Sequence, residues 1–196
     1  EVLDGADGVL LFLSEGAAWL SRDPDRLRAF ERLAARGGGL AVLHWGMGSR
    51  AAEPVPAFVK LFGECHGGPD RKYKVLDAHV ELAMPHHPVL RGIRPFDVHE
   101  EFYYQLKFPA WAEKPTPLLR VEIDNAPHTV CWAWERPDGG RSFGFSGCHF
   151  HQNWERPEYR RLVLQGGLWT LKLPIPEDGL PVNVNAADLA LPEPKK

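Results

Sequence analysis

The chain has 196 residues, of which 44% are hydrophobic and 25% are charged, a composition typical of a globular protein with its own hydrophobic core. The formal net charge of −3 and the lack of a long basic run exclude a surface built for nucleic acid. No apolar run reaches the roughly 18 residues of a membrane-spanning helix. Three cysteines without paired spacing argue against a disulfide scaffold and a CxxC zinc site. We therefore expect neither a nucleic-acid nor a membrane partner.

The first part of the chain predicts a strand, a helix and a second strand. Residues 8–13 form a short continuous apolar run, which is typical of a strand covered on both faces. In residues 21–36, Asp23 can cap a helix and Pro24 fits its first turn. Residues 40–43 resume as a buried strand after three glycines. This order indicates a parallel crossover unit, in which ligands bind at the carboxyl ends of the strands.

The later elements extend this unit. Helices are predicted at residues 56–62 and 157–171, and the turn-rich segment 136–141 predicts antiparallel pairing of the strands beside it. The predicted strands are residues 73–82, 117–123, 129–134 and 142–146. We expect an α/β fold with a mostly parallel sheet flanked by helices and an antiparallel extension. We assign residues 1–176 to this domain and residues 177–196 to an extended C-terminal tail.

Two histidines follow predicted strands. His44 comes directly after the strand at residues 40–43, and His149 comes shortly after the strand at residues 142–146. Imidazole suits general acid–base catalysis because its ordinary pKa lies near neutrality. Either ring could instead be satisfied by backbone groups at the end of its strand. His151 would share a face with His149 if the strand continued that far.

An acidic and aromatic run at residues 100–104 supplies further candidates. Glu101 could orient an imidazole or accept hydrogen bonds from sugar hydroxyls, although Glu100 competes for this place and a solvated surface acid has the same pattern. Most aromatic rings in such a chain belong to the core. Those that could stack on a sugar are Trp45, Tyr103, Tyr104 and Trp154. Asn153 could bind hydroxyls or cap the last helix.

Five segments occur in the order found in a known family: residues 36–45, 87–93, 99–104, 134–141 and 144–154. Together they resemble the ThuA-like (trehalose utilisation) family over residues 8 to 176. The resemblance implies a class I glutamine amidotransferase-like, flavodoxin-like fold and a role in carbohydrate catabolism, including the breakdown of disaccharides through keto-sugars. Family members open with an additional strand and loop. We expect that this part precedes Glu1, and the cellular compartment stays open.

The resemblance also addresses amidotransferase activity. In the amidotransferases, the position of His44 holds a nucleophilic cysteine on a sharp turn, and none of Cys65, Cys131 and Cys148 stands on such a turn here. Glutamine hydrolysis is therefore not expected. His149 occupies the place where that fold keeps its catalytic histidine.

These features lead to one functional hypothesis and two alternatives. We expect an enzyme that acts on a sugar or keto-sugar, a small-molecule carbohydrate, with catalytic residues His44, His149 and Glu101. The expected substrate-binding residues are Trp45, Tyr104, His151, Asn153 and Trp154. No cofactor or metal is expected, because the spacing matches no recognised zinc motif. The alternatives are a non-catalytic carbohydrate-binding or regulatory domain and a metal-dependent hydrolase. Exchange of the tail between subunits of a homo-oligomer is a further hypothesis.

Overall fold

The computed structural model describes residues 2–110 and 113–190. The strands are β1 (Gly8–Leu11), β2 (Gly39–Leu43), β3 (Gly48–Ser49), β4 (His66–Gly67), β5 (Lys72–Leu82), β6 (Phe96–Tyr104), β7 (Thr116–Ile123), β8 (Ala126–Glu135) and β9 (Arg141–Phe145). The α-helices are α1 (Gly16–Ser21), α2 (Pro24–Ala35), α3 (Val55–Phe62) and α4 (Pro157–Thr170). Short 3-10 helices lie at His44–Met47, Pro88–Leu90, His151–Glu155 and Ala186–Leu189. None of the described helices is long and apolar enough to cross a membrane.

The main sheet contains seven of the described strands in the order β1-β2-β9-β8-β7-β5-β6. The first three strands pair in parallel, and all later neighbours pair antiparallel. The α/β fold is thus confirmed, but the prediction of a mostly parallel sheet is correct only for β1, β2 and β9. One reason for the antiparallel pairing of the later strands is the two-residue turn between β7 and β8. Asp124 and Asn125 have φ values of 53° and 61°, as a type I′ hairpin turn requires, so the chain reverses directly.

Strand β2 is covered on both faces, as its continuous apolar sequence predicted. Leu40 and Val42 pack into the core beneath α1, α2 and α3, whereas Ala41 and Leu43 pack into the core shared with α4. This alternation follows from the two-residue period of a strand. The end of β2 is consequently held by helices on both sides.

Helix α2 begins where the sequence predicted. The carboxylate of Asp23 accepts hydrogen bonds from the backbone N–H groups of Asp25 and Arg26 at 2.9 and 3.2 Å, and Pro24 occupies the first turn. The buried face of the helix contains Phe30 and Leu33. The cap thus fixes the start of this helix, and the apolar stripe fixes the face that it buries.

Strands β5 and β6 form a ribbon that curls back over the sheet. Residues 72–80 of β5 pair with β6, whereas only Glu81 and Leu82 pair with β7. In a flat sheet, four strand spacings would separate β6 from β9 by roughly 19 Å. Instead the ring of Phe102 on β6 lies 6.4 Å from the ring of Phe145 on β9. The curl brings β6 to the carboxyl ends of β2 and β9.

The segment after α4 packs along that helix as far as the structure describes it. The side chain of Gln165 accepts a hydrogen bond from the backbone N–H of Leu180 at 2.8 Å, and Arg160 donates to the carbonyl of Val182 at 2.8 Å. Val182 is buried. Residues 191–196 of the predicted tail lie outside the described residues.

His87 caps the 3-10 helix Pro88–Leu90 in its neutral form. Its Nδ1 accepts a hydrogen bond from the backbone N–H of Val89 at 3.2 Å, and its ring packs edge-on against Trp169 at 5.1 Å. Burial, aided by the positive charge of Arg141, lowers the pKa of His87 from 6.5 to about 4. The unfolded chain therefore binds a proton at this position at a higher pH than the folded protein does.

We expect His87 to weaken the fold as the pH falls from 6.5 to about 4, because only the unfolded state then gains the proton. In His87→Asn, the amide oxygen still caps the helix but does not titrate, so the free energy of unfolding should fall less steeply over this range. Urea unfolding of both proteins across that range measures the difference. Equal pH slopes would contradict the assignment of the neutral form.

Candidate functional site

A cavity of about 590 Å³ opens at the carboxyl ends of β2 and β9. We call it the strand-end cavity. The side chains on its wall include His44, Trp45, His66, Glu101, Tyr103 and His149. They come from the end of β2, from β4, from the β5–β6 ribbon and from the loop after β9. The cavity thus occupies the place where α/β sheets bind ligands.

His44 is held in an uncommon backbone conformation directly after β2. Its φ of 47° lies in the left-handed region, which costs a non-glycine residue about 1–3 kcal/mol. The ring Nδ1 donates a hydrogen bond to the backbone carbonyl of Ser146 at 3.0 Å, so Nε2 carries the lone pair. Burial lowers the pKa of His44, although the Ser146 carbonyl and the Glu101 carboxylate act in the opposite direction. A neutral ring therefore presents Nε2 as an acceptor.

Three side chains converge around this nitrogen. Nδ1 of His149 lies 3.1 Å from Nε2 of His44, and Oε1 of Glu101 lies 3.8 Å from the same atom and 3.5 Å from the His149 Nδ1. Because both neighbours of the His149 Nδ1 are acceptors, Nδ1 carries the proton of a neutral His149 and Nε2 carries its lone pair. The His149 side chain is 42% exposed, against 11% for His44 and 14% for Glu101. His149 is therefore the member of the cluster most open to a ligand.

Tyr103 lines the floor of the cluster. Its ring stacks on His66 with centroids 4.0 Å apart and on His44 with centroids 4.7 Å apart, and its hydroxyl lies 3.0 Å from the His44 Nε2. Burial and the nearby Glu101 carboxylate raise the pKa of Tyr103, so the hydroxyl stays protonated and can donate. Burial, with a contribution from Arg71, lowers the pKa of His66 to about 3 and keeps that ring neutral.

Glu100 has a different role from its neighbour Glu101. Adjacent residues of a strand point to opposite faces, so Glu101 lines the cavity while Glu100 is fully buried behind it. The Glu100 carboxylate accepts five hydrogen bonds of 2.8–3.1 Å. The donors are the backbone N–H groups of Glu101, Cys148 and His149, the amide of Asn153 and the hydroxyl of Tyr159. Glu100 therefore fixes the loop that carries His149.

The structure brings four of the predicted site residues to the strand-end cavity: His44, Trp45, Glu101 and His149. The Trp45 ring packs edge-on against His66 and Tyr103 at 5.4 and 5.7 Å. It folds back over Gly48, where a Cβ atom would lie 1.9 Å from the ring. The catalytic and substrate-binding roles of these residues stay predictions.

The other four predicted residues are not among the described side chains that line this cavity. His151 is exposed and donates from Nε2 to the carbonyl of Leu189 at 2.7 Å, because the chain enters a 3-10 helix there instead of continuing as a strand. Asn153 is buried against Glu100. Tyr104 and Trp154 pack against the core shared with α4. The strand alternation that places Tyr103 at the cavity directs Tyr104 away from it.

Of the six side chains named first on the cavity wall, Tyr103 and His66 were not assigned to the site from the sequence. Tyr103 was considered only as a ring for stacking, although it lies two positions after Glu101 in a strand and so shares its face. His66 had no signal in the sequence. It belongs to the two-residue strand β4, which pairs with β3 directly after the His44–Met47 turn. Such short pairings produce no periodic pattern.

The ThuA family model, described as trehalose utilisation, matches residues 1–170. The chain belongs to the ThuA family. No curated protein sequence matches it. The ThuA assignment made from the five sequence segments is therefore confirmed, and it indicates a role related to carbohydrates.

Solved structures of similar fold include two ThuA-like proteins. The protein from Bacteroides uniformis ATCC 8492 has a TM-score of 0.66 and 16% identity, over 84% of this chain and 69% of that one. The protein from Parabacteroides merdae ATCC 43184 has a TM-score of 0.65 and 15% identity, over 86% of this chain and 71% of that one. A cytoplasmic protein from Salmonella typhimurium has a TM-score of 0.61 and 15% identity, over 86% of this chain and 73% of that one. At these sequence identities, the similarity supports a shared fold alone.

The adjacent carboxylates give a matched pair of variants. In Glu100→Gln, one of the two acceptor oxygens becomes an NH₂ group, which faces at least two donors it cannot bond. We expect the free energy of unfolding to fall by roughly 3 kcal/mol or more. Glu101→Gln should change it by less than about 1 kcal/mol, because Glu101 faces the cavity. Urea unfolding of both variants tests this difference, and equal losses would contradict the separate roles.

Proposed function

We propose that this ThuA-family protein is an enzyme that transfers protons on a sugar or keto-sugar bound in the strand-end cavity. The family's description supports the carbohydrate part of the proposal. The observation that carries the catalytic part is the approach of His44 Nε2, His149 Nδ1 and Glu101 Oε1 to within 3.8 Å of one another on the cavity wall. Three titratable groups in contact at an open wall are suited to general acid–base catalysis.

The hydrogen bonds of the cluster suggest a role for each group. The hydrogen-bond chain from the Ser146 carbonyl through His44 to His149 places the lone pair of a neutral His149 on Nε2, on the most exposed ring of the cluster. His149 would remove a proton from the carbon next to a keto group. The Glu101 carboxylate, 3.5 Å away, would stabilise the imidazolium that forms. His44 would fix the orientation of the His149 ring.

The number of carboxyl groups at the cavity favours this reaction over glycoside hydrolysis. Most glycosidases use two carboxyl groups on opposite sides of the scissile bond. Among the described side chains that line the cavity, Glu101 is the one carboxylate, and the neighbouring Glu100 is buried and fully engaged. A proton transfer next to a carbonyl needs one base and one donor for the oxygen that gains negative charge. The cluster supplies the base, and Arg50 and Arg71 on the cavity wall supply donors.

The rings at the cavity mouth suit a sugar. Trp45 lines the cavity, and the rings of Phe12 and Tyr73 beside it are more than half exposed. Exposed aromatic faces of this kind stack on the apolar face of a pyranose. Arg50 and Arg71, each 5.8 Å from the centre of the Trp45 ring, offer N–H donors for hydroxyl groups.

Variants of two histidines that lie close together in the sequence distinguish this proposal from a general loss of structure. When a keto-sugar is incubated with the protein in D₂O, deuterium should enter the sugar at the carbon beside its carbonyl. His149→Asn should slow this exchange by about 100-fold or more. His151→Asn should change it less than about twofold, because His151 faces the C-terminal segment. NMR spectroscopy of the sugar measures the rate.

The same experiment addresses the non-catalytic alternative. Sugar binding by calorimetry without deuterium exchange or product would indicate a carbohydrate-binding or regulatory domain and would overturn the catalytic proposal. Equal rates for the protein and its His149→Asn variant would exclude His149 as the base.

A further inference from the structure

The three atoms of the cluster form a triangle of the size that a transition metal requires. Its sides are 3.1, 3.5 and 3.8 Å between His44 Nε2, His149 Nδ1 and Glu101 Oε1. The circle through the three atoms has a radius of about 2.0 Å, and Zn²⁺ lies about 2.0–2.2 Å from imidazole nitrogen and carboxylate oxygen. An ion near the centre of the triangle would therefore reach all three ligands without movement of the backbone.

The surroundings of the ligands support the same conclusion independently of the distances. Histidine ligands of metals almost always donate their other ring N–H to a carbonyl or carboxylate, which fixes the ring. His44 does so through its Nδ1 to the Ser146 carbonyl. The backbone N–H of His149 is in turn bonded to the buried Glu100 carboxylate at 3.1 Å. The ring of His44 and the backbone of His149 are thus fixed before an ion binds.

We propose that His44, His149 and Glu101 form a site for one divalent ion of the zinc class, with its fourth position open to the strand-end cavity. Two imidazoles and a carboxylate suit Zn²⁺, Co²⁺ and Fe²⁺ better than Mg²⁺ or Ca²⁺, which prefer oxygen ligands alone. Three protein ligands and one open position are typical of a catalytic zinc site. The sequence left a metal-dependent hydrolase only as an alternative, because these ligands lie far apart in the chain and match no zinc motif.

The inference concerns the residues of the proposed function and rests on it only for the effect of the ion, because a bound ion and the base role of His149 exclude each other. An ion on Nδ1 would leave His149 without the Nε2 lone pair that the proton transfer needs, so a bound ion should suppress the exchange reaction. The free protein and the metal-bound protein would differ at one proton. The proton of a neutral His149 sits on Nδ1 in the free protein and must sit on Nε2 when Nδ1 binds an ion. His44 keeps its proton on Nδ1 in both states.

Titration of the chelator-treated full chain with Zn²⁺ or Co²⁺ tests the site. Isothermal calorimetry should detect one ion per chain, and bound Co²⁺ should give the visible absorption of tetrahedral coordination. Glu101→Gln and His149→Asn should each weaken binding by 10-fold or more, whereas His151→Asn should bind as the unaltered protein does. NMR spectroscopy of ¹⁵N-labelled histidines should detect the proton of His149 moving from Nδ1 to Nε2 when Zn²⁺ is added.

The outcomes distinguish the metal site from the proposed function. No binding, or binding that Glu101→Gln and His149→Asn leave unchanged, overturns the site. Deuterium exchange in chelator-treated protein without metal binding would leave the proton-transfer function standing while the site fails. One bound ion per chain, lost in both ligand variants, supports the site even if no keto-sugar reacts.

Discussion

The buried carboxylate of Glu100 ties the β5–β6 ribbon to the loop that follows β9. Five donors from β6, from this loop, from the His151–Glu155 turn and from α4 converge on its two oxygens. A buried charge is costly unless it is fully bonded, so these contacts hold only when all four segments are in place. The position of His149, and with it the shape of the cavity wall, depends on this one group.

The second constraint is the end of β2. Helices cover both faces of this strand, and the chain leaves it at His44 through a left-handed residue that turns at once into a 3-10 helix. The hydrogen bond to the Ser146 carbonyl links this turn to the same loop that Glu100 holds. The backbone strain at His44 is thus maintained by its surroundings, as is common at functional sites. The cluster is assembled where two independently anchored segments meet.

The comparison of Glu100 with Glu101 explains why sequence reasoning left the acidic pair unresolved. Alternation in a strand requires that the two carboxylates point in opposite directions, but it does not say which direction is the cavity. That choice depends on how the β5–β6 ribbon curls, and curl is a property of the whole sheet. The same limit applies to Tyr103 and Tyr104, which alternate in the same strand. His151 was assigned to the site because a strand was assumed to continue, and the structure has a 3-10 helix there.

The sequence by itself determined the α/β class, the crossover unit of β1, α2 and β2, and the presence of histidines after two predicted strands. These features follow from local patterns: an apolar run, a helix cap, and the rule that parallel strands share an edge. Only the tertiary structure decided that Glu101 joins these histidines and that their three ligand atoms fit one ion. Residues 44, 101 and 149 come together because the antiparallel ribbon folds across the sheet, and no local pattern records a contact between segments so far apart.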